Sequence, residues 1–365
     1  MTASTQIRPF DQAGALKRGG TYESIQVLRG VAAILVVVFH AASHAYGSEN
    51  VFRVGNAGVD IFFVISGFVM WTAQKTSGKR PTTPRSFLRQ RIIRVVPLYY
   101  LSTFALLLAW LALPPAFPRM TAPTPAHVLL SLAFVPHLDP GGTAFPLLAQ
   151  GWTLNFEMFF YLVFAMGLML PAGRRFGLLA ALLPLLALLG LLLPDGLARR
   201  APLLSLFDPL LIEFLGGIVI ARWVERGWKP GAMLRWAVLG LGAAALVFAP
   251  NPPAEGDWAR LLLFGVPAFL IVAGAVGVET SATNFRAGPA PLLLGAASYS
   301  LYLCHTFVVS IVCKALGGGS NPWLVTEAAT ALSILAALAI YRYVEQPLLN
   351  ALRGRRAPAL RVQAA

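Results

Sequence analysis

Long apolar stretches recur along the whole chain and alternate with short polar or basic connections. Ten of them approach the roughly 20 residues that a helix needs to cross the hydrocarbon core of a bilayer. The pattern therefore predicts an all-α, polytopic membrane protein with about ten transmembrane helices. The predicted spans are 25–43, 57–74, 95–113, 152–170, 176–193, 209–224, 233–249, 259–278, 291–314 and 323–344.

Composition agrees with this pattern, because 57% of the residues are hydrophobic and only 12% are charged. The mean hydropathy is +0.68, which excludes an ordinary soluble domain. The residues before the first span are polar and contain no apolar core, so no cleavable signal peptide is expected. We predict a polar leader at 1–24, one membrane domain at 25–350 and a basic tail at 351–365, with membrane lipid around the domain.

Basic residues are distributed unevenly among the predicted connections, and the formal net charge is +14. If the N-terminus is cytoplasmic, 23 of the 29 Lys and Arg residues fall on the cytoplasmic side. This positive-inside bias predicts that both termini are cytoplasmic. Because the basic residues are spread over several connections and do not form one soluble face, no nucleic-acid partner is expected.

The longest connection, roughly 114–151, is external in this topology and is rich in Pro and Gly. Its apolar core LLSLAFV is too short to span a bilayer. Two interpretations are open for it. One is a re-entrant or interfacial segment over an outward cavity, and the other is an ordinary irregular loop.

Two ionisable residues, Arg29 and His40, lie inside the first apolar stretch. Ionisable groups within a membrane span are costly, and by default they mark a functional site. Eleven residues of α-helix correspond to about 1100° of rotation and roughly 16 Å of rise, so both side chains lie on nearly the same face. A fixed cation and a titratable base in this arrangement suit a long anionic ligand, held at one end and reacted at the other.

Five ionisable residues from five spans are predicted to share one level on the outer side of the membrane. They are His40, Asp60, Glu157, Glu213 and His305. Any one of them has the simpler interpretation of a hydrogen bond between neighbouring helices. The whole set favours an outward-facing polar site, because each group alone is expensive in hydrocarbon.

A second polar group is predicted at the cytoplasmic boundary, where Arg29 is joined by Arg89, Arg91, Arg94 and Glu345. Arginines three residues apart share a helix face, and their forked guanidinium groups suit phosphate. The alternative is that this basic segment only determines topology. With the outer site, the cluster suggests a cytoplasmic, nucleotide-bearing donor with an extended arm that reacts with an outward acceptor.

The penultimate span offers further acceptor-site residues, because Tyr302 and His305 follow Ser298 along one helix face. They either line an acceptor cavity or pack that helix against its neighbours. No metal is expected, since the five histidines and two cysteines show no ligand spacing.

Several short motifs together give the chain a resemblance to a known family. The chain resembles the bacterial acyltransferase-3 membrane proteins, and in particular their exopolysaccharide O-acetyltransferases, over roughly residues 22–350. Each motif is weak alone, but their order on the predicted spans is specific. The matching motifs are Arg-x10-His at Arg29 and His40, Ser-Gly-Phe at Ser66–Phe68, Arg-x-x-Arg at Arg91 and Arg94, and blocks at Trp152–Tyr161, Ser298–His305 and Tyr341–Leu349.

This resemblance implies transfer of an acyl group, usually acetyl from acetyl-CoA, to a hydroxyl of an extracytoplasmic or lipid-linked saccharide. It implies a bacterial inner-membrane enzyme that works beside polysaccharide-assembly proteins. His40 is implied as the catalytic residue. Depth in the predicted spans makes Asp60 and Glu157 the candidates for an acidic neighbour that fixes its tautomer, and Glu157 is preferred because it is more deeply embedded. We assign donor binding to Arg29, Arg91, Arg94 and Ser66, and acceptor binding to Tyr302, His305 and Glu213.

Two other functions stay open at this point. A transporter or flippase for a sugar or lipid-linked precursor would also bury polar groups at mid-depth, although it does not require a lone Arg/His pair beside an arginine cluster. An acceptor other than a sugar, such as a macrolide or a peptide, would share the transfer chemistry.

Overall fold

The computed structural model describes residues 22–47, 52–76, 82–117, 120–193, 206–250, 258–281, 285–316 and 320–354. Within these ranges the ordered segments are helical and there is no β-strand, so the predicted all-α class is confirmed. Most of the predicted leader and of the predicted basic tail lies outside the described residues.

The described ranges contain the following helices, in chain order. They are α1 Glu23–Tyr46, α2 Gly58–Thr76, α3 Pro84–Ala112, α4 Pro125–Leu132, α5 Gly151–Leu168, α6 Ala172–Leu191, α7 Leu210–Glu225, α8 Ala232–Val247, α9 Trp258–Ser281, α10 Pro289–Ala296, α11 Ser298–Leu316 and α12 Pro322–Leu352.

Each of the ten predicted spans coincides with at least one of these helices, and the span 291–314 is divided between α10 and α11. Eight helices of the described chain are long and apolar enough to cross a membrane. The helices α7 and α8 have only 16 residues each. The protein is therefore a multi-pass membrane protein, while the count of ten spans and the cytoplasmic placement of both termini stay predictions.

Helix α1 occupies a central position, since it packs against α2, α10, α11 and α12. Its first turn is held by a carboxylate from the end of α9, because Glu279 accepts hydrogen bonds from the backbone N–H groups of Glu23 and Ser24 at 3.0 and 2.8 Å. These N–H groups have no partner within their own helix. A negative charge at a helix N-terminus is stabilising, so this contact fixes the start of the helix that carries Arg29 and His40.

The close crossing of α2 and α7 explains part of the Ser-Gly-Phe motif. A Cβ atom at Gly67 would overlap the carbonyl oxygen of Phe214, and one at Gly217 would overlap that of Val64. Glycine lets the two backbones approach closely, as is common between membrane helices. Phe68, the next residue of the motif, is buried in the core beneath this crossing. The motif therefore sets the packing of α2, and with it the position of Ser66.

The connection between α3 and α5, which the sequence predicts to be external, contains the short helix α4 and is tied to α3 by hydrogen bonds. The hydroxyls of Tyr99 and Tyr100, in α3, donate hydrogen bonds to the carbonyls of Ser131 and Leu132 at 3.1 and 2.9 Å. The Ser131 hydroxyl also accepts a hydrogen bond from the backbone N–H of Leu147 at 2.8 Å. The short helix α4 is thus anchored to α3 and to the segment that leads into α5.

A buried histidine pair holds the same connection together. His137 donates from Nδ1 to the carbonyl of Val135 at 2.7 Å, so its Nε2 is free to accept the Nδ1–H of His127 at 2.8 Å. Burial, and secondly the nearby His137 ring, lower the pKa of His127 below its usual value. The hydrogen bond between the two rings therefore links α4 to the segment that follows it.

Candidate active site

A cavity opens among α1, α2, α3, α5 and α11. Its empty volume is about 880 Å³ when the open mouth is counted. The charged and phenolic side chains that line it all belong to motifs found in the sequence. They are Arg29, Arg91, Arg94, Glu157, Tyr161, Tyr299 and Tyr302.

The cavity is electropositive, because three guanidinium groups and one carboxylate line it. Among the described residues, neither Arg29 nor Arg91 makes an ion pair. Arg29 donates a hydrogen bond to the side chain of Gln26 at 3.2 Å, and Arg91 lies 5.4 Å from the centre of the Phe87 ring. Two cations without carboxylate partners inside a cavity favour an anionic ligand.

Arg94 differs from these two, because it forms an ion pair with Glu345 of α12. Glu345 is 1% exposed and also accepts a hydrogen bond from the Ser300 hydroxyl at 2.5 Å. It ends the π-helical turn Tyr341–Glu345, and such turns are frequent at functional sites. The turn shifts the register of α12 and brings this carboxylate to α3, so Arg94 has a structural role in addition to lining the cavity.

Glu157 is one of the two acids predicted as neighbours of His40, but its hydrogen bonds are made to other residues. Its Oε1 accepts hydrogen bonds from the hydroxyls of Ser66, at 3.3 Å, and of Tyr161 on its own helix. Glu157 and Ser66 both line the same cavity as the three arginines, while the role of Ser66 in donor binding stays a prediction.

Asp60 is likewise not a neighbour of His40. Its two carboxylate oxygens accept hydrogen bonds from Nε and Nη2 of Arg260 at 3.0 and 2.7 Å. Asp60 is fully buried and Arg260 is 1% exposed. Arg260 lies immediately before the π-helical turn Leu261–Gly265 in α9. The pair joins α2 to α9, and Arg260 supplies the cation that compensates the buried carboxylate of Asp60.

Glu213 adjoins this ion pair and not the predicted acceptor site. Its carboxyl group is 2% exposed and interacts with Asp60. Both carboxyl oxygens of Glu213 are buried and have no hydrogen-bond partner among the described residues.

His40 lies next to His305, and the centres of the two rings are 5.1 Å apart. The Tyr302 ring centre is 6.2 Å from that of His305. Tyr302 lines the cavity, whereas neither histidine does. The Tyr302 hydroxyl hydrogen-bonds to the Thr153 hydroxyl at 2.7 Å. Tyr302 therefore stands between the arginine-lined cavity and the histidine pair.

The five ionisable groups predicted at one outer level thus divide into three locations. Glu157 joins the arginines, Asp60 and Glu213 join Arg260, and only His40 and His305 stay together. Sequence reasoning also missed Tyr161 and Tyr299 as lining residues. Tyr161 was recoverable, since it is four residues from Glu157 on one helix.

Comparison with known proteins identifies the chain. The model of the acyltransferase domain family matches residues 22–342. The chain belongs to the acyltransferase-3 family. This acyltransferase is 38% identical over 327 residues to the exopolysaccharide production protein ExoZ of Rhizobium meliloti (strain 1021), covering 88% of this chain and 98% of ExoZ.

A more distant relative is the acyltransferase MdmB of Streptomyces mycarofaciens, which is 25% identical over 92% of this chain and 93% of its own length. No solved structure shows significant similarity to the chain. The family and these relatives establish that the protein is a membrane acyltransferase. Among the described residues, no group of three or more His, Cys, Asp and Glu side chains could hold a metal ion.

Proposed function

We propose that this acyltransferase moves an acyl group, most simply acetyl, from cytoplasmic acyl-coenzyme A to a hydroxyl of an extracytoplasmic or lipid-linked saccharide in the bacterial inner membrane. The main support for this proposal is the cavity, because Arg29 and Arg91 line it and neither forms an ion pair with a carboxylate of the described residues. Coenzyme A presents several phosphate oxygens, which guanidinium groups bind in pairs. The printed name of the relative ExoZ supports an exopolysaccharide acceptor.

The proposed geometry assigns the two ends of the donor to two ends of α1. The phosphate end occupies the arginine-lined cavity, and the acyl end extends past Tyr302 to His40. Eleven residues of helix give a rise of roughly 16 Å between Arg29 and His40, a distance that an extended thioester arm can span. This separation allows a cytoplasmic donor to meet an outward acceptor.

The proposed reaction is general-base catalysis by His40. Neutral imidazole takes the proton of the saccharide hydroxyl while its oxygen forms a bond to the thioester carbonyl carbon. The carbon–sulfur bond then breaks, and the coenzyme thiolate leaves and takes the proton from His40. A route in which His40 first accepts the acyl group uses the same residue, and it would leave an acylated enzyme when donor is supplied without acceptor.

The function is tested by the acyl content of extracellular polysaccharide. In a strain that lacks the gene, mass spectrometry is expected to show polysaccharide without its ester groups, restored by the wild-type gene. A transporter or flippase would instead change the amount of polysaccharide and leave its acyl content per sugar the same. The second pattern would contradict the proposed function.

Arg91 offers the clearest test of the donor site. Arg91→Ala is expected to weaken coenzyme A binding by about 1.5–3 kcal/mol for a lost charged hydrogen bond, which is roughly ten- to a hundredfold in Kd. Arg91→Lys keeps the charge but loses the fork, so it should weaken binding less. Calorimetry with coenzyme A and the purified protein measures both.

The matched control is Arg89→Ala, which removes the same charge from an exposed position on the same helix, outside the cavity. It is expected to change Kd by less than about twofold, as exposed charges are screened by salt. Arg94→Ala should also weaken binding, although it deprives Glu345 of its cation and requires a stability measurement. If Arg91→Ala binds coenzyme A as tightly as wild type, the donor site lies elsewhere.

A further inference from the structure

His305 has a fixed proton arrangement. Its ring is 1% exposed, and its Nδ1 lies 2.7 Å from the carbonyl oxygen of Tyr302 and 3.1 Å from that of Leu301. Carbonyl oxygens only accept hydrogen bonds, so Nδ1 carries the proton. In the neutral ring, Nε2 then carries an unshared lone pair and acts as a hydrogen-bond acceptor.

That acceptor is buried and lacks a hydrogen-bond partner among the described residues. A buried polar atom without a partner costs free energy, and such atoms in native structures call for an explanation. The imidazole of His40 is the neighbouring group that can supply an N–H, since the ring centres are 5.1 Å apart and the planes are inclined by 36°.

The two acids that the sequence analysis considered as hydrogen-bonding partners of His40 form hydrogen bonds with other residues. Asp60 binds Arg260 through both oxygens, and Glu157 accepts from Ser66 and Tyr161. His305 is therefore the buried acceptor that the fold places against His40. It reaches this place because α1 packs directly on α11.

We propose that His305 is the positioning residue for His40: its Nε2 accepts a hydrogen bond from one ring nitrogen of His40 and leaves the other nitrogen as the base. The inference rests on the proposed role of His40 as catalyst. The same hydrogen bond stabilises the imidazolium that forms when His40 takes the hydroxyl proton, as an acidic residue does in a serine hydrolase triad. The hydroxyl proton then passes from His40 to the coenzyme thiolate as the carbon–sulfur bond breaks.

A spectroscopic test needs no acceptor substrate. In protein labelled with ¹⁵N-histidine, the His40 signals are assigned by their loss in His40→Gln. Wild type should show a single neutral tautomer of His40, and His305→Leu should convert it to a mixture of the two. His305→Gln supplies an amide oxygen in place of Nε2 and should restore the single tautomer. Unchanged His40 signals in folded His305→Leu would overturn the proposal.

Activity is the second readout. His305→Leu should lower the acyl content of the polysaccharide by about 10–100-fold, the usual cost of losing a residue that orients a reactive group, and His305→Gln should recover at least threefold. Coenzyme A binding should stay within about twofold of wild type, since His305 lies outside the arginine-lined cavity. Equal activity losses in the leucine and glutamine variants would also overturn the proposal.

The control is Val309→Ala, a truncation of a fully buried residue one turn further along α11 that packs against Ala41 of α1. It reports the effect of loosened packing between the two helices, and it should leave the His40 tautomer unchanged. If wild type transferred no acyl group to polysaccharide, the proposed function would fail, while the tautomer comparison would still decide the role of His305.

Discussion

His40→Ala is expected to reduce the acyl content of the polysaccharide to that of the strain lacking the gene, while the protein remains inserted and folded. A general base contributes about 10²–10⁴-fold to a rate, so its removal should lower transfer by at least that factor. Mass spectrometry of the polysaccharide measures the loss, and coenzyme A calorimetry should show donor binding close to wild type.

Two further variants make this result specific. His44→Ala removes an exposed histidine one turn further along α1 and should retain most of the acyl transfer. His40→Gln should be no better than His40→Ala, because an amide cannot take up a proton. Near-normal acylation by His40→Ala, at a normal protein level, would remove His40 from the mechanism.

The fold was largely predictable from the pattern of apolar residues. Every predicted span coincides with a helix because the bilayer fixes the length of an apolar segment and its backbone must be satisfied internally. The break between α10 and α11 was not predictable, because no proline or charged residue lies between Leu292 and Leu303 to mark it. Nor were the two π-helical turns, since a single extra residue changes the helical phase without changing composition.

The arginine cluster could be predicted because its members share short motifs on one or two helices. Arg29, Arg91 and Arg94 do line one cavity, while their role in donor binding stays a prediction. The acidic partner of His40 could not be predicted in the same way. Position along a span gives the depth of a residue, but it leaves open the neighbour that its side chain faces.

Asp60 and Glu157 show the consequence of that limit. Both have a depth close to that of His40 in the sequence, yet one faces Arg260 and the other faces the arginine-lined cavity. The direction of each depends on close helix crossings such as that of α2 with α7. When the partner of a buried acid in a membrane span is predicted from sequence, an available arginine or lysine should therefore be preferred to a histidine at equal depth.

The pair formed by Asp60 and Arg260 is expected to dominate stability among the buried polar contacts. Arg260→Met leaves the buried carboxylate of Asp60 without its cation, beside the second acid Glu213, and should lower the free energy of unfolding by about 3–5 kcal/mol. The loss follows from an uncompensated charge, since methionine fills a similar apolar volume. Reversible unfolding in mixed micelles, followed by circular dichroism, measures the change.

The double variant Asp60→Leu/Arg260→Met separates the charge from the shape of the site. Replacing both members of a buried pair by apolar residues removes the desolvation cost together with the attraction, and this is often close to neutral. We therefore expect it to recover most of the stability lost in Arg260→Met. Arg89→Met, which replaces an exposed arginine on α3, provides the comparison, because surface substitutions usually change stability by less than about 0.5 kcal/mol. A cost for Arg260→Met as small as that for Arg89→Met would show that the buried pair does not hold α2 to α9.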